Sequence, residues 1–240
     1  MKRTVATIYI LITFVLTTFA QGQNVSEVFR VWKAGTVVTA AQIAAYGERN
    51  CFKAEPISDA VFARMRGKSF PEGCTVKRED LRYVRCLHVS QEGKVMLGEL
   101  VCNKTIADEI VGILHELYDN RYPIESMRLI DDFDAKDELS MRANNTSCFC
   151  FRQVAGTKVL SAHARGMAVD FNPLYNPCVR RNSNGTTKVE PLTALPYIHR
   201  NDSFPYKITE GDLLYKIMIS HGYKWGGAWK SLKDYQHFEK

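Results

Sequence analysis

The chain has seven cysteines but no C-x2-C pair, which argues against a zinc-ribbon cluster of metal-ligating thiolates. It has no basic run interleaved with aromatics, so the footprint of a nucleic-acid binder is missing. Repeats and low-complexity tracts are absent too, and beyond the first twenty-odd residues no apolar stretch is long enough to span a bilayer. What is present is ample apolar material: 240 residues at 45% hydrophobic content can bury a full core in one domain, or at most two.

Lys2 and Arg3 precede an apolar run from Val5 to Phe19 that closes on Thr18-Phe19-Ala20. A basic start, a run shorter than the roughly 20 residues of a spanning helix and small residues at the cleavage positions predict a signal peptide over residues 1–22. Export to the periplasm or the extracellular space follows, without stable membrane insertion. Oxidising compartments permit disulfides, so Cys51, Cys74, Cys86, Cys102, Cys148, Cys150 and Cys178 are expected to form up to three bridges with one thiol left over. Their spacing leaves the connectivity open. Without Lys2 and Arg3 the net charge of +6 falls to +4, a mild attraction to anionic polymers such as cell wall. A monomer is expected, with no nucleic-acid partner.

Residues 23–80 read as a helical N-terminal part that packs on a catalytic domain at 81–240. Ala40 to Tyr46 and Ser58 to Met65 are predicted helices, ended by Gly67 and Pro71-Glu72-Gly73. From Leu81 the pattern is a hairpin through a turn at Gln91–Lys94. Thr105 to Tyr118 is an amphipathic helix with Ile106, Ile110, Leu114 and Leu117 on one stripe. Ser126 to Ile130 is a predicted strand, and Asn172 to Arg200, rich in Pro, Asn and Gly, a long loop. Thr209 to Asp212 reads as a capping box ahead of a helix at Leu213–Ser220 with Gly222 as its C-cap. Tyr223 to Trp225 and His237 to Glu239 complete a last strand pair. Strands with segregated helices make an α+β fold with an antiparallel sheet.

Two stretches carry the chemistry. In Ser161-Ala162-His163-Ala164-Arg165-Gly166-Met167-Ala168-Val169-Asp170, a histidine and an aspartate stand seven apart. Straight strand would part them by roughly 23 Å, so the chain must double back, and Gly166 tolerates the backbone angles of such a bend. Met167, Val169 and Phe171 alternate with Asp170, which turns Asp170 away from the core. In the second stretch Asp234 precedes His237 by three residues. His163, Asp170 and His237 supply the residue types of a three-ligand catalytic zinc set, with Asp234, on a helical turn or tight loop, on the same side to carry protons; taken singly, a His and Asp seven apart or a D-x-x-H are more often unrelated surface residues. Trp225 and Trp229 are core aromatics first, with Trp225 also a candidate substrate contact.

The pattern S-x-H-x-x-G-x-A-x-D at Ser161 to Asp170, followed by Asn172-Pro173 and Asn176-Pro177, resembles the zinc peptidases that include D-Ala-D-Ala carboxypeptidases and dipeptidases and L-alanyl-D-glutamate peptidases. So does the ending W-G-G-x-W…D-x-x-H-F at Trp225 to Phe238, and so do Ser140-Met141 and Asn144 through Arg152. The similarity runs from about Leu81 to the C-terminus and implies the hedgehog/D-Ala-D-Ala peptidase-like fold. It further implies one Zn2+ per chain at His163, Asp170 and His237, Asp234 as general base and acid, and Arg152 as the group that steadies the oxyanion or holds substrate. Ser161 would sit beside the site as a supporting or substrate contact. The implied activity is hydrolysis of peptidoglycan stem peptides, with no added wall-binding domain expected after Phe238. The alternative, since the hedgehog signalling domain is similar in fold, is a zinc-containing binding module without catalysis.

Overall fold

The computed structural model describes residues 27–240 apart from 155 and 183; the predicted signal peptide lies outside the described residues. The frame is a long antiparallel hairpin, β2 (Leu81–Val89) and β3 (Val95–Asn103), in unbroken register from Leu81↔Asn103 to Val89↔Val95. Gly93, at φ +80°, closes its turn by donating from its N–H to Ser90 O at 2.9 Å. Lys53–Pro56 (β1) adds a third antiparallel strand on the β2 side, so the N-terminal part shares this sheet. Helix α1 (Ala40–Tyr46) starts on a Thr39–Gln42 capping box, and α2 (Asp59–Met65) starts on Ser58.

Helix α3 (Ala107–Asp119) buries Ala107, Ile110, Ile113, Leu114 and Leu117; the predicted Ile110, Leu114 and Leu117 are among them, while Ile106 is the buried N-cap. At about 1.5–3 kcal/mol for each large apolar side chain removed from water, that face outweighs any helix propensity. Helix α4 (Asp137–Arg142) follows, then β5 (Asn145–Thr146), which pairs in parallel with β4 (Ser126–Met127). Two further three-stranded sheets complete the molecule: β6 (Ala168–Asp170), β11 (His237–Glu239) and β9 (Lys224–Trp225), in the order β6-β11-β9; and β10 (Leu232–Asp234), β7 (Cys178–Arg181) and β8 (Thr187–Glu190), in the order β10-β7-β8. Helix α5 (Leu213–Ser220) precedes β9. The architecture is α+β with antiparallel sheets.

Four expectations need correction. The stretch 172–200 holds the β7–β8 hairpin and a 3-10 turn at Leu192–Tyr197; its strands are short and set among turn formers, and β7 finds its second partner only in distant β10. The strand expected at Ser126–Ile130 stops at Met127. There Asn145 replaces the ladder with its side chain, accepting from Arg128 N at 2.9 Å and donating to Arg128 O at 3.0 Å. Asp212, not Thr209, caps α5, because the helix begins at Leu213 and Asp212 Oδ1 accepts its N–H at 2.9 Å. All seven cysteines are unpaired thiols, five of them buried; burial pushes Cys51 and Cys102 up to about 12, so they stay protonated. Among the described residues no helix is long and apolar enough to cross a membrane.

Candidate metal centre and cleft

His163 opens a 3-10 turn, His163–Arg165, that reverses the chain. Ser161 Oγ braces this turn by accepting from Ala164 N at 3.0 Å. Gly166 ends it at φ +67°, where a Cβ would lie 2.7 Å from Asn103 N. Only glycine supplies both the backbone angle and the space, and its carbonyl accepts from that same Asn103 N at 2.9 Å. The turn is thereby fastened to the end of β3.

The reversed chain enters β6, whose Asp170 pairs directly with His237 of β11. Opposite residues in an antiparallel pair point the same way with their Cβ atoms about 5 Å apart, so register alone brings this carboxylate and imidazole together. His163 Nδ1 lies 2.6 Å from Cys148 O. A carbonyl only accepts, so Nδ1 carries the proton and Nε2 turns a lone pair inward. His163 Nε2 is 3.1 Å from His237 Nδ1 and 3.2 Å from Asp170 Oδ2, and His237 Nδ1 is 2.9 Å from Asp170 Oδ1. The other His237 nitrogen, Nε2, faces Glu239 Oε2 at 3.4 Å.

These three donors fit a zinc ion. Ligands at about 2.0–2.1 Å around a tetrahedral centre lie about 3.3 Å from one another, close to the 2.9–3.2 Å edges of this triangle. Each histidine also has an outer partner on its remaining nitrogen, as metal-ligating imidazoles require. The same contacts set the charges of the group. Burial alone would raise Asp170, but His163 and His237 hold it well below the usual carboxylate range. Burial opposes a proton on His237, yet the contacts with Asp170 and Glu239 push it up to about 10.

Asp234 stands on β10 opposite Cys178 of β7. Gly226 makes room for it: a Cβ there would lie 2.6 Å from Asp234 O and 3.2 Å from His237 Cβ. Asp234 Oδ1 is buried with no hydrogen-bond partner among the described residues. Burial, and then the charge of Asp170, push its pKa up to about 6, against the pull of His237.

A cleft of about 220 Å³ joins these groups and is also walled by Arg152, Asp137 and Trp229. Arg152 Nε lies 2.7 Å from Asp137 Oδ2, and the Arg152 carbonyl accepts from Ser161 N at 3.1 Å, which ties it to the His163 turn. Ser161 is buried beneath this turn and is not part of the cleft wall. Trp225 lies in the core, its indole N–H donating to Tyr235 O at 2.9 Å; it is Trp229 that faces the cleft, its ring centroid 5.2 Å from that of His237. Asp137, Cys178, Arg180, Trp229 and Glu239 were not read from the sequence as site residues. For Glu239 a cue existed, because residues two apart on a strand share a face with His237.

A second group, Glu48, His115 and Asp119, also brings three potential ligand atoms together, but on an open surface.

Residues 155–240 match the family described as D-alanyl-D-alanine carboxypeptidase. That segment contains His163, Asp170, Asp234 and His237, and over it the resemblance drawn from the two motifs holds; Arg152 lies just outside it. No curated protein matches the chain, and no solved structure does.

Proposed function

We propose that the protein is an exported zinc metallopeptidase that hydrolyses peptide stems of bacterial peptidoglycan, at an L-alanyl-D-glutamate or a D-Ala-D-Ala bond. One observation carries this reading: Asp234, whose Oδ1 is buried without a hydrogen-bond partner among the described residues, shares a cleft with a donor triangle of zinc dimensions. His163 Nε2, one or both Asp170 oxygens and His237 Nδ1 would hold the ion. When bound, zinc supplies Lewis-acid chemistry, polarising the scissile carbonyl and making water a nucleophile near neutral pH.

The chain's own groups do the rest. Asp234 takes a proton from the attacking water as the water oxygen bonds to the carbonyl carbon. It passes that proton to the leaving nitrogen as the C–N bond breaks. Burial and the charge of Asp170 favour a proton on this carboxyl, which suits a group that must hold one between the two halves of the relay. Arg152, paired with Asp137, offers N–H donors to the developing oxyanion, and charge-assisted donors aimed at developing charge are strong stabilisers. Glu239 and Cys148 O orient the two imidazoles. Export rests on the leader at residues 1–22.

The test is mass spectrometry of purified peptidoglycan after incubation with zinc-loaded protein. Released D-alanine or a new D-glutamate N-terminus is expected, and names the bond. Unchanged polymer with one zinc bound would refute the peptidase and leave a zinc-containing binding module. Asp234→Ala should keep the zinc and lose turnover by about 10²–10⁴-fold, the usual worth of a positioned proton carrier, whereas His163→Ala should lose both.

A further inference from the structure

Outside the cleft, a further set of metal-ligating side chains comes together from distant parts of the chain. Glu48 opens the 3-10 turn Glu48–Cys51, which leads into β1. His115 and Asp119 stand four apart on α3 and so are neighbours on one face, a helical turn apart. His115 Nε2 lies 3.5 Å from Glu48 Oε1 and 3.7 Å from Asp119 Oδ1, and one donor atom of each residue falls within 4.8 Å of the other two.

Three observations point to a cation between them. The first is distance. A hydrogen bond from imidazole to carboxylate spans about 2.7–3.2 Å, so neither contact is one, and His115 Nε2 is buried with no hydrogen-bond partner among the described residues. Donors that share a zinc ion at about 2.0–2.2 Å stand about 3.3–3.6 Å apart, close to the spacing found. The second is charge. Among the described residues neither carboxylate is paired with a lysine or arginine; each meets only His115. Helix α3 also ends on Glu116 and Asp119 with no basic residue in its last turn, although the carbonyl end of a helix favours positive charge. The third is that the ring is held: His115 packs on the buried Phe52 with ring centroids 4.4 Å apart, which limits its freedom to turn Nε2 away.

We propose that Glu48, His115 and Asp119 are a second, structural metal site for a divalent transition cation such as zinc, with water completing its shell, and that the ion fastens the Glu48–Cys51 turn to α3. The inference is independent of the peptidase reading, because none of the three residues lines the cleft. An imidazole with two carboxylates selects transition metals over calcium and magnesium, which take oxygen ligands. Coordination uses the Nε2 lone pair, so Nδ1 keeps the ring proton. The three side chains are 33%, 46% and 56% exposed, and charges attract more weakly in water than in a buried site. The second site therefore fills at higher free zinc than the cleft does.

The experiment is equilibrium dialysis of chelator-stripped full-length protein against rising free zinc, with the bound metal counted by mass spectrometry. Wild type should take up one zinc and then, at higher zinc, a second; His115→Gln should stop at the first. His163→Ala isolates the new site, because it lacks the cleft ion: it should still bind one zinc at the higher concentration, excess calcium should not displace that ion, and the His163→Ala/His115→Gln double variant should bind none. Asp119→Asn in the His163→Ala background is a gentler change, expected to weaken that zinc by at least the ~10-fold cost of losing an outer partner. Circular dichroism checks that every variant is folded. Zinc should also slow amide hydrogen exchange in the Glu48–Cys51 turn of His163→Ala and not in the double variant. No zinc on folded His163→Ala at saturation, or as much on the double variant, overturns the site. Zinc bound there with exchange in the turn unchanged overturns its fastening role.

Discussion

Replacing Gly166 by alanine tests whether the turn that carries His163 is held by its contact with β3. Two costs add. A non-glycine residue at φ +67° pays about 1–2 kcal/mol for the left-handed backbone. The new Cβ would also sit 2.7 Å from Asn103 N and 3.1 Å from Cys102 C, backbone atoms that cannot swing aside, and forced overpacking costs a further ~1–3 kcal/mol. Gly73 serves as control, since at φ +81° it meets nothing within 4 Å and Gly73→Ala pays the backbone cost alone. Urea unfolding should place Gly166→Ala below Gly73→Ala in stability by that second amount. Zinc affinity, from competition with a chromogenic chelator, should fall only in Gly166→Ala. Equal destabilisation of the two variants, with zinc affinity intact in both, would show that the close approach to β3 does not set the position of His163.

Three further outcomes are expected. Glu239→Gln should weaken zinc about 10- to 100-fold by loosening the His237 ring, with an unchanged urea midpoint; undiminished affinity in chelator competition would remove Glu239 from the site. Glu99 is 1% exposed and takes two hydrogen bonds from Arg64, at 2.5 and 2.9 Å, and one from Tyr83 at 2.6 Å. Glu99→Ala should cost about 2–3 kcal/mol in urea unfolding, below the 3–5 of a fully buried pair because the Arg64 side chain is 37% exposed; a loss under 1 would refute its anchoring role. His88 is buried, and burial pushes its pKa down to about 4 despite the contact with Ile124 O at 2.8 Å. Between there and the ordinary value of about 6.5 the unfolded chain binds the extra proton, so stability is full above 6.5 and falls with pH, by about 2 kcal/mol at pH 5. His88→Gln should lack that component, and an identical pH slope in both proteins would contradict it.

The parts of the site that local rules govern were legible in the sequence. The reversal after His163 follows from a glycine at its end, and the outward aim of Asp170 follows from alternation with Met167, Val169 and Phe171. The helices at 40–46, 59–65, 107–119 and 213–220 follow from apolar stripes and polar starts. Long-range register was not legible. Nothing near Cys178 or Arg180 announces that β7 pairs with β10, fifty residues later, so the wall holding Arg180 read as loop. Asp137, at the start of α4, meets Arg152 in the loop after β5, a contact that no local spacing encodes. Trp229 and Trp225 differ only in which side of the Gly226-Gly227 bend they fall on, where a Cβ at Gly227 would lie 2.3 Å from the Trp225 ring.

The charges of the cleft form a consistent set. Asp137 is matched by Arg152 and Glu190 by Lys188, which leaves Asp170, Asp234 and Glu239 around two imidazoles. Asp170 and Asp234 are buried carboxylates side by side, costly unless a cation offsets them, and the raised pKa of Asp234 follows from that burial and from the charge of Asp170. A dication at the donor triangle answers Asp170 and the two histidines and leaves Asp234 to exchange protons. The same reasoning makes the two roles separable: removing Asp234 should stop turnover on every substrate and leave the cleft ion in place, while removing His163 should release the ion itself.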